Sequence, residues 1–490
     1  MKRIKKFIVL NIVFAILFST FSACFYDDET PESSVPSATP RASAALLFDG
    51  SDSLDPFIAK TAVNHQLFSL VFPGLFINTS SALPEPFAVS DFSVSGAKVT
   101  FKLNEVKFSD GSLLTPSDVV SSFDYAKKST KYASRFNYIT KYGISNNEFY
   151  VIFKNYPETN LSLLDIPIVK RTETGVLGLG EYAFLKKENV VSLIKNNYFN
   201  SPQFKVSEIF LEDIDDISSA VHSFNKKSVS AISINASTNT VIIKGSYEKK
   251  SYITDNLIFI GFNCNKWPFN YASVRKAFNL ALNRQALSEE DRSDFANFVW
   301  NPVNPNHYLL NSFELPSSIY MPDISHDLLS SNGFSKRKGF YNMGSFSLIV
   351  NSEDSFKVNL AKSIVSQLKN FGIDVSLKVL DYDAYTAALK AGNFDLFLGE
   401  TVMPINADVS ILASSTLNYG NWGKASLDAL YNALASQNLS SNAFDRYIDD
   451  SPVISVCYRR NSLVYSRIFP AEASPSRFLI YNSLFFAEIS

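Results

Sequence analysis

The chain has 490 residues, 46% of them hydrophobic, and a formal net charge of −2. A chain this long and this apolar can bury more than one core, and a balance this close to neutral excludes a nucleic-acid binder that works by bulk positive charge. The 42 phenylalanines and 23 tyrosines are numerous enough to supply both the cores and an aromatic-lined cavity.

The first segment reads as a secretory leader. Lys2, Arg3, Lys5 and Lys6 make a basic start, and Phe7 to Phe18 form an apolar run too short for a membrane span. Phe21, Ser22 and Ala23 then lead into Cys24, which resembles a bacterial lipobox with phenylalanine at the usual leucine position. The expected mature chain therefore begins at Cys24, lipidated on its thiol, and loss of the four leader cations takes the charge from −2 to −6. Residues 24–43 are rich in serine, proline and acidic groups without apolar periodicity, as a flexible tether would be.

Val99, Phe101 and Leu103 alternate with polar residues as a half-buried strand does. After the turn at Asp110 and Gly111, Thr115 stands as an N-cap, Pro116 occupies the first helical position and Asp118 lies near the unpaired amides. A helix is expected from there, with Val119, Val120 and Phe123 on its apolar face. Farther along, Leu360, Ile364, Val365, Leu368 and Phe371 keep helical spacing and stop at Gly372. Val375, Leu377 and Val379 alternate as a strand, a helix carrying Tyr385 and Leu389 ends near Gly392, and Phe394–Leu398 reads as a buried strand. Two strands joined through a helix favour a parallel pair with a right-handed crossover, hence an α/β lobe.

These segments carry a resemblance. Phe108, Asp110 and Gly111, then Leu114, Thr115, Asp118, Val119, Val120 and Phe123, resemble the signature of the extracellular solute-binding proteins, family 5, of peptide and nickel ABC importers. Leu54-Asp55-Pro56, Pro84 to Ala88, Gly178 to Tyr182, Asn196 to Phe199, Gly261-Phe262-Asn263 with Val274-Arg275, and Gly372 through Asp395 are similar to further motifs, in that family's order. The resemblance implies a two-lobed α/β fold of the periplasmic-binding-protein type II class, with a domain inserted in lobe one. Lobe one is expected from 44–77, 172–255 and 456–490, the inserted domain from 78–171 and lobe two from 256–455. It further implies an oligopeptide captured between the lobes and passed to ABC permease and ATPase subunits by a lipid-anchored monomer, outside the cytoplasmic membrane. An oligosaccharide, a nickel chelate or another small polar solute on the same fold, or a peptide-signal receptor without import, are the alternatives.

Nothing in the sequence supports catalysis or a cofactor. His65, His222, His307 and His326 lack metal-ligand spacing, and no nucleophile elbow, P-loop or dinucleotide fingerprint is present. In peptide-binding members, the loop after the Phe394–Leu398 strand resembles Gly-Trp-x-x-Asp-Tyr, whose aspartate pairs with the peptide ammonium. Here Glu400 stands at the tryptophan and Met403 at the aspartate. Either Glu400 or Asp408 is therefore expected to take over the ammonium, since an ammonium buried without a carboxylate is costly, or the ligand is not a free-amino peptide. Trp300, Asn418, Tyr419 and Trp422 are the expected stacking and amide contacts. Asp55 and Arg275 read as structural ion pairs or caps, and Cys264 and Cys457 as free thiols.

Overall fold

The computed structural model describes residues 44–486, except 174, 189, 201, 215, 236–241, 290–291, 441 and 470–471. The expected leader, the tether and Cys24 lie outside the described residues. Two long strands, Tyr247–Phe262 and Val453–Ser466, run antiparallel side by side and carry the chain from one half of the fold to the other. At one end Val453–Ser466 also pairs with Ala231–Ile234. At the other end Tyr247–Phe262 pairs with Leu396–Val402, beyond which lie Phe346–Asn351 and Val375–Leu380.

The second half is built on both faces of this sheet. Ile258 and Ile260 point into a core with Phe278, Leu348, Ile364 and Leu396. Leu257 and Phe259 point the opposite way, into a core with Phe397, Trp422, Leu430 and Tyr458. A strand covered on both sides needs apolar residues at successive positions, which is why Leu257–Ile260 is an unbroken apolar run rather than an alternating one.

The first half carries a four-stranded sheet in the order Ala44–Phe48, Glu208–Asp213, Val190–Lys195 and Tyr182–Lys187. Residues 78–171, expected as an inserted domain, contribute an antiparallel sheet in the order Val89–Ser95, Lys98–Leu103, Glu148–Phe153 and Ile139–Ser145. One continuous apolar core joins Leu46 and Ile209 of the former to Phe101, Phe123 and Phe149 of the latter.

Local signals behave as their chemistry requires. Thr115 and Asp118 form a reciprocal capping box: the Thr115 N–H donates to Asp118 Oδ2 at 2.9 Å, and the Asp118 N–H donates to Thr115 Oγ1 at 3.3 Å. The helix Pro116–Ala126 follows, with Val119 and Phe123 fully buried. Helices Ser355–Phe371 and Tyr382–Ala391 both end at left-handed glycines, Gly372 and Gly392. Asp55 pairs with Arg171 at 2.5 Å and Arg275 with Asp450 at 2.8 Å, while Cys264 and Cys457 are free.

One expectation is corrected. Val375–Leu380 and Leu396–Val402 run in the same direction, but they are not neighbours: Phe346–Asn351 lies between them, parallel to both. Its first five residues are all buried, so the most completely buried of the three strands takes the place between the other two.

Gly178 and Gly180 fix the helix Ala62–Val71 against the first sheet. A Cβ on Gly178 would lie 2.0 Å from the Val71 carbonyl oxygen, and one on Gly180 would lie 2.3 Å from that of Leu70. The close approach lets the Gly180 N–H donate to Val71 O at 2.9 Å. A Gly178→Ala change should therefore destabilise the fold by about 1–3 kcal/mol through overpacking, read by equilibrium denaturation. An unchanged midpoint would mean that the end of this helix can shift without cost.

Candidate functional site

A cavity of about 590 Å³ opens between elements of the two halves. Its wall from the first half begins with His65, Phe68, Ser69 and Phe72, whose spacing places them on one stripe of the helix Ala62–Val71 and its C-cap. Residues 130–138 add Lys131, Tyr132, Arg135 and Tyr138, and Asp165 lies beside them. The second half supplies Val402 to Ile405 and Ile411, the long strand supplies Asp255, and the tail supplies Arg477 and Phe478.

Asp255 reaches the cavity because the long strands slip out of register. Ile253 is opposite Arg460 while Leu257 is opposite Tyr458, so Thr254, Asp255 and Asn256 bulge where the strand passes the cavity. Burial pushes the Asp255 carboxyl up, against the opposing charge of Arg477 at 2.8 Å and a hydrogen bond from Asn304 at 3.2 Å. Asp165 pairs with Arg135, whose guanidinium also lies over the Tyr132 ring at 4.9 Å. Lys131 is exposed at the cavity surface, yet partial desolvation of its ammonium, with the charge of Arg135, lowers its pKa to about 8. Desolvation and then the charge of Lys131 lower His65 to about 4, so this imidazole is neutral at ordinary pH.

The loop after Leu396–Val402 is held from several sides. The Met403 N–H donates to Asp255 O at 2.8 Å, Asn406 donates to Asn160 at 2.8 Å, and Tyr138 donates to Asp408 Oδ2 at 2.8 Å. His307 accepts the Leu309 N–H on Nδ1 at 3.2 Å, so its proton is on Nε2, which donates to Ile405 O at 2.9 Å. Its ring is buried, and desolvation lowers its pKa to about 4. Thr159 to Ala435 O at 3.0 Å and Tyr156 to Asn432 at 3.0 Å add further bonds between 78–171 and the second half.

None of the six residues expected as ligand contacts is on this cavity wall. Glu400 instead receives Arg459 at 2.7 Å, Lys357 at 3.2 Å and Asn256 at 3.0 Å. Burial would raise its pKa, but Arg459 and Lys357 hold the carboxyl below its usual range. Asp408 is buried one layer behind Tyr138 and caps the turn Val409–Ala413 by accepting from the Ser410 N–H. Asn418 clamps the Trp422 backbone, Tyr419 packs edge-on to Phe397, and Trp422 stacks on Phe397 while donating to Leu412 O at 3.2 Å. Trp300 is buried and donates to Pro316 O at 2.8 Å. The expected loop is at the cavity, but through Met403, Pro404 and Ile405. Sequence reasoning missed Lys131, Arg135, Asp165, Asp255 and Arg477. Of these only Asp255, a charge just before the apolar run Leu257–Ile260, left a readable signal.

The family model for bacterial extracellular solute-binding proteins, family 5 (middle), matches residues 85–423. The chain belongs to this family. Its members are substrate-binding components of ABC importers and not enzymes. The oligopeptide-binding protein AppA of Bacillus subtilis (strain 168) is 22% identical over 534 residues, covering 98% of this chain and 94% of AppA. The structure of NikA from Brucella suis in complex with Fe(III)-EDTA is similar with a TM-score of 0.69, at 18% identity over 91% of this chain and 99% of NikA. The structure of AppA from Bacillus subtilis in complex with a nonapeptide gives a TM-score of 0.59, at 16% identity over 90% and 96% of the two chains. The chain thus has the two-lobed α/β fold of these binding proteins. Among the described residues, no helix is long and apolar enough to cross a membrane.

Two outcomes follow from this geometry. Glu400→Gln leaves a buried arginine short of a partner and should destabilise by about 3 kcal/mol without weakening solute binding, read by thermal denaturation beside calorimetry. Between pH 6.5 and about 4 the unfolded chain takes up protons on His65 and His307 while the folded rings do not, so acidification should lower the melting temperature across this window. In His307→Leu that slope should shrink; an unchanged slope would show that His307 does not stay neutral in the fold.

Proposed function

We propose that this protein captures a short oligopeptide between its two lobes and delivers it to the membrane permease of an ABC importer, with ATP hydrolysis carried out by separate subunits. The observation that carries this reading is the cavity walled by both halves, in a chain similar over nearly its full length to an oligopeptide-binding protein. Its volume of about 590 Å³ is in the range of small-solute pockets, roughly 300–1,000 Å³, and so favours a short peptide over a long one. Phe68, Phe72, Tyr132 and Phe478 offer apolar surface to side chains, while Thr130, Ser134 and Asn137 offer polar groups to a backbone. Bonds from 78–171 to the second half favour the closed arrangement, and a solute touching both walls adds to them. Asp408 contributes by fixing Tyr138 at the wall. The mature monomer works outside the cytoplasmic membrane, anchored by lipid on Cys24.

A second reading, a metal chelate as solute, is favoured by Met403 at the place where peptide binders of the family resemble an aspartate. The deciding experiment is mass spectrometry of material copurified with the protein, followed by thermal-shift screening against peptide, sugar and nickel–histidine pools. A solute at a hundred times its Kd should stabilise the protein by roughly 2.7 kcal/mol. Stabilisation by the peptide pool supports the proposal; stabilisation by the nickel–histidine pool alone replaces it with the second reading.

A further inference from the structure

The charges on the cavity wall do not balance. Arg135 is paired with Asp165 and Arg477 with Asp255, but Lys131 has no carboxylate within ion-pair distance among the described residues. With His65 neutral, three cations face two carboxylates. Asp52, which also acts on His65, is already committed to its own loop: its Oδ2 accepts the Lys60 N–H, the Thr61 N–H and the Thr61 hydroxyl, each at 2.8 Å. On the same stretch of wall, the side chains of Thr130, Ser134 and Asn137 face the cavity without a protein hydrogen-bond partner among the described residues.

We propose that Lys131, with Arg135 beside it and Thr130, Ser134 and Asn137 around it, is an anion subsite that receives a carboxylate of the solute. This inference rests on the solute-binding reading and adds the charge that the solute presents. An exposed ammonium on the cavity wall beside a second cation favours an incoming anion, and charge-assisted hydrogen bonds strengthen as the lobes exclude water. The two cavity carboxylates are already engaged by arginines, so a free α-amine finds no vacant acceptor of full charge. The carboxylate therefore fixes the solute, and it can come from the C-terminus of a peptide or from a small polycarboxylate such as a chelator.

The test is calorimetry on the purified full chain with mixed tri- to pentapeptides in unmodified, N-acetylated and C-amidated forms, and with citrate as a carboxylate that is not a peptide. N-acetylated peptides should bind like unmodified ones, and amidated peptides about tenfold more weakly or worse, about 1.4 kcal/mol. Lys131→Met should erase the preference for the acid form, and Lys131→Arg should restore it, with melting temperatures not lowered because the ammonium has no ion-pair partner among the described residues. Citrate binding abolished by Lys131→Met, with peptides inert, supports the subsite and assigns it to a polycarboxylate. Equal binding of acid and amide forms, or a preference that survives Lys131→Met, overturns the subsite. Binding of a neutral sugar pool alone overturns it too but leaves the capture of solutes standing, whereas binding of no probe overturns both.

Discussion

The antiparallel pairing of Tyr247–Phe262 with Val453–Ser466 is the constraint on which the rest of the molecule depends. These strands belong to both halves, so their register sets where one half stands relative to the other. Where both faces are covered, a slip by one residue would exchange Ile258 and Ile260 with Leu257 and Phe259 between two different cores. Side chains shaped for one core do not fill the other, which makes the register costly to change. Arg459, from the second strand, holds the arrangement by engaging Glu400 and Asp354 and lying over the Phe356 ring at 5.3 Å. The strands leave this register at two places, between Ile258 and Phe259 and at the bulge Thr254–Asn256, and the latter places Asp255 at the cavity.

The cavity wall inherits its rigidity from that frame. The loop 403–408 is bonded to the bulge by Met403, to the second half by His307, and to the first half by Asn406 and Asp408. Four bonds in several directions fix a segment of irregular backbone far better than its own propensity could. Because Asn160 and Tyr138 belong to the first half, this loop also joins the lobes. The wall residues Met403 to Ile405 and the residues bonded across to the first half, Asn406 and Asp408, are therefore neighbours in one short segment.

Local chemistry was legible in the sequence, and the site was not. The capping box at Thr115, the glycine stops at 372 and 392 and the alternation of Val99 and Phe101 each depend on residues a few positions apart, so their physics is contained in the string. The central place of Phe346–Asn351 was less accessible, since sheet order depends on competition among strands that are each apolar enough to be buried. Glu400 shows the limit most clearly. From the sequence it is an acidic residue in the right loop; in the fold Arg459, 59 residues away, and Lys357, from a third element, claim its carboxylate. Which acid is vacant and which is paired depends on contacts between distant segments, and no spacing rule reports it.

The same reasoning turns an apparent defect into a consistent design. Met403 stands where the resemblance to peptide-binding members implies an aspartate for the ammonium. Yet Met403 is buried and donates its N–H to the carbonyl of Asp255, so a carboxylate stands next to the expected place, supplied by another strand. That carboxylate is neutralised by Arg477, and the unmatched charge on the wall is instead the positive one at Lys131. Engaging Asp165 and Asp255 with arginines, and leaving Lys131 with no carboxylate in ion-pair distance among the described residues, shifts the cavity toward positive potential. On the proposed function, closure that excludes water would strengthen every remaining interaction, so the sign of that potential would set which end of a zwitterionic solute is held most firmly.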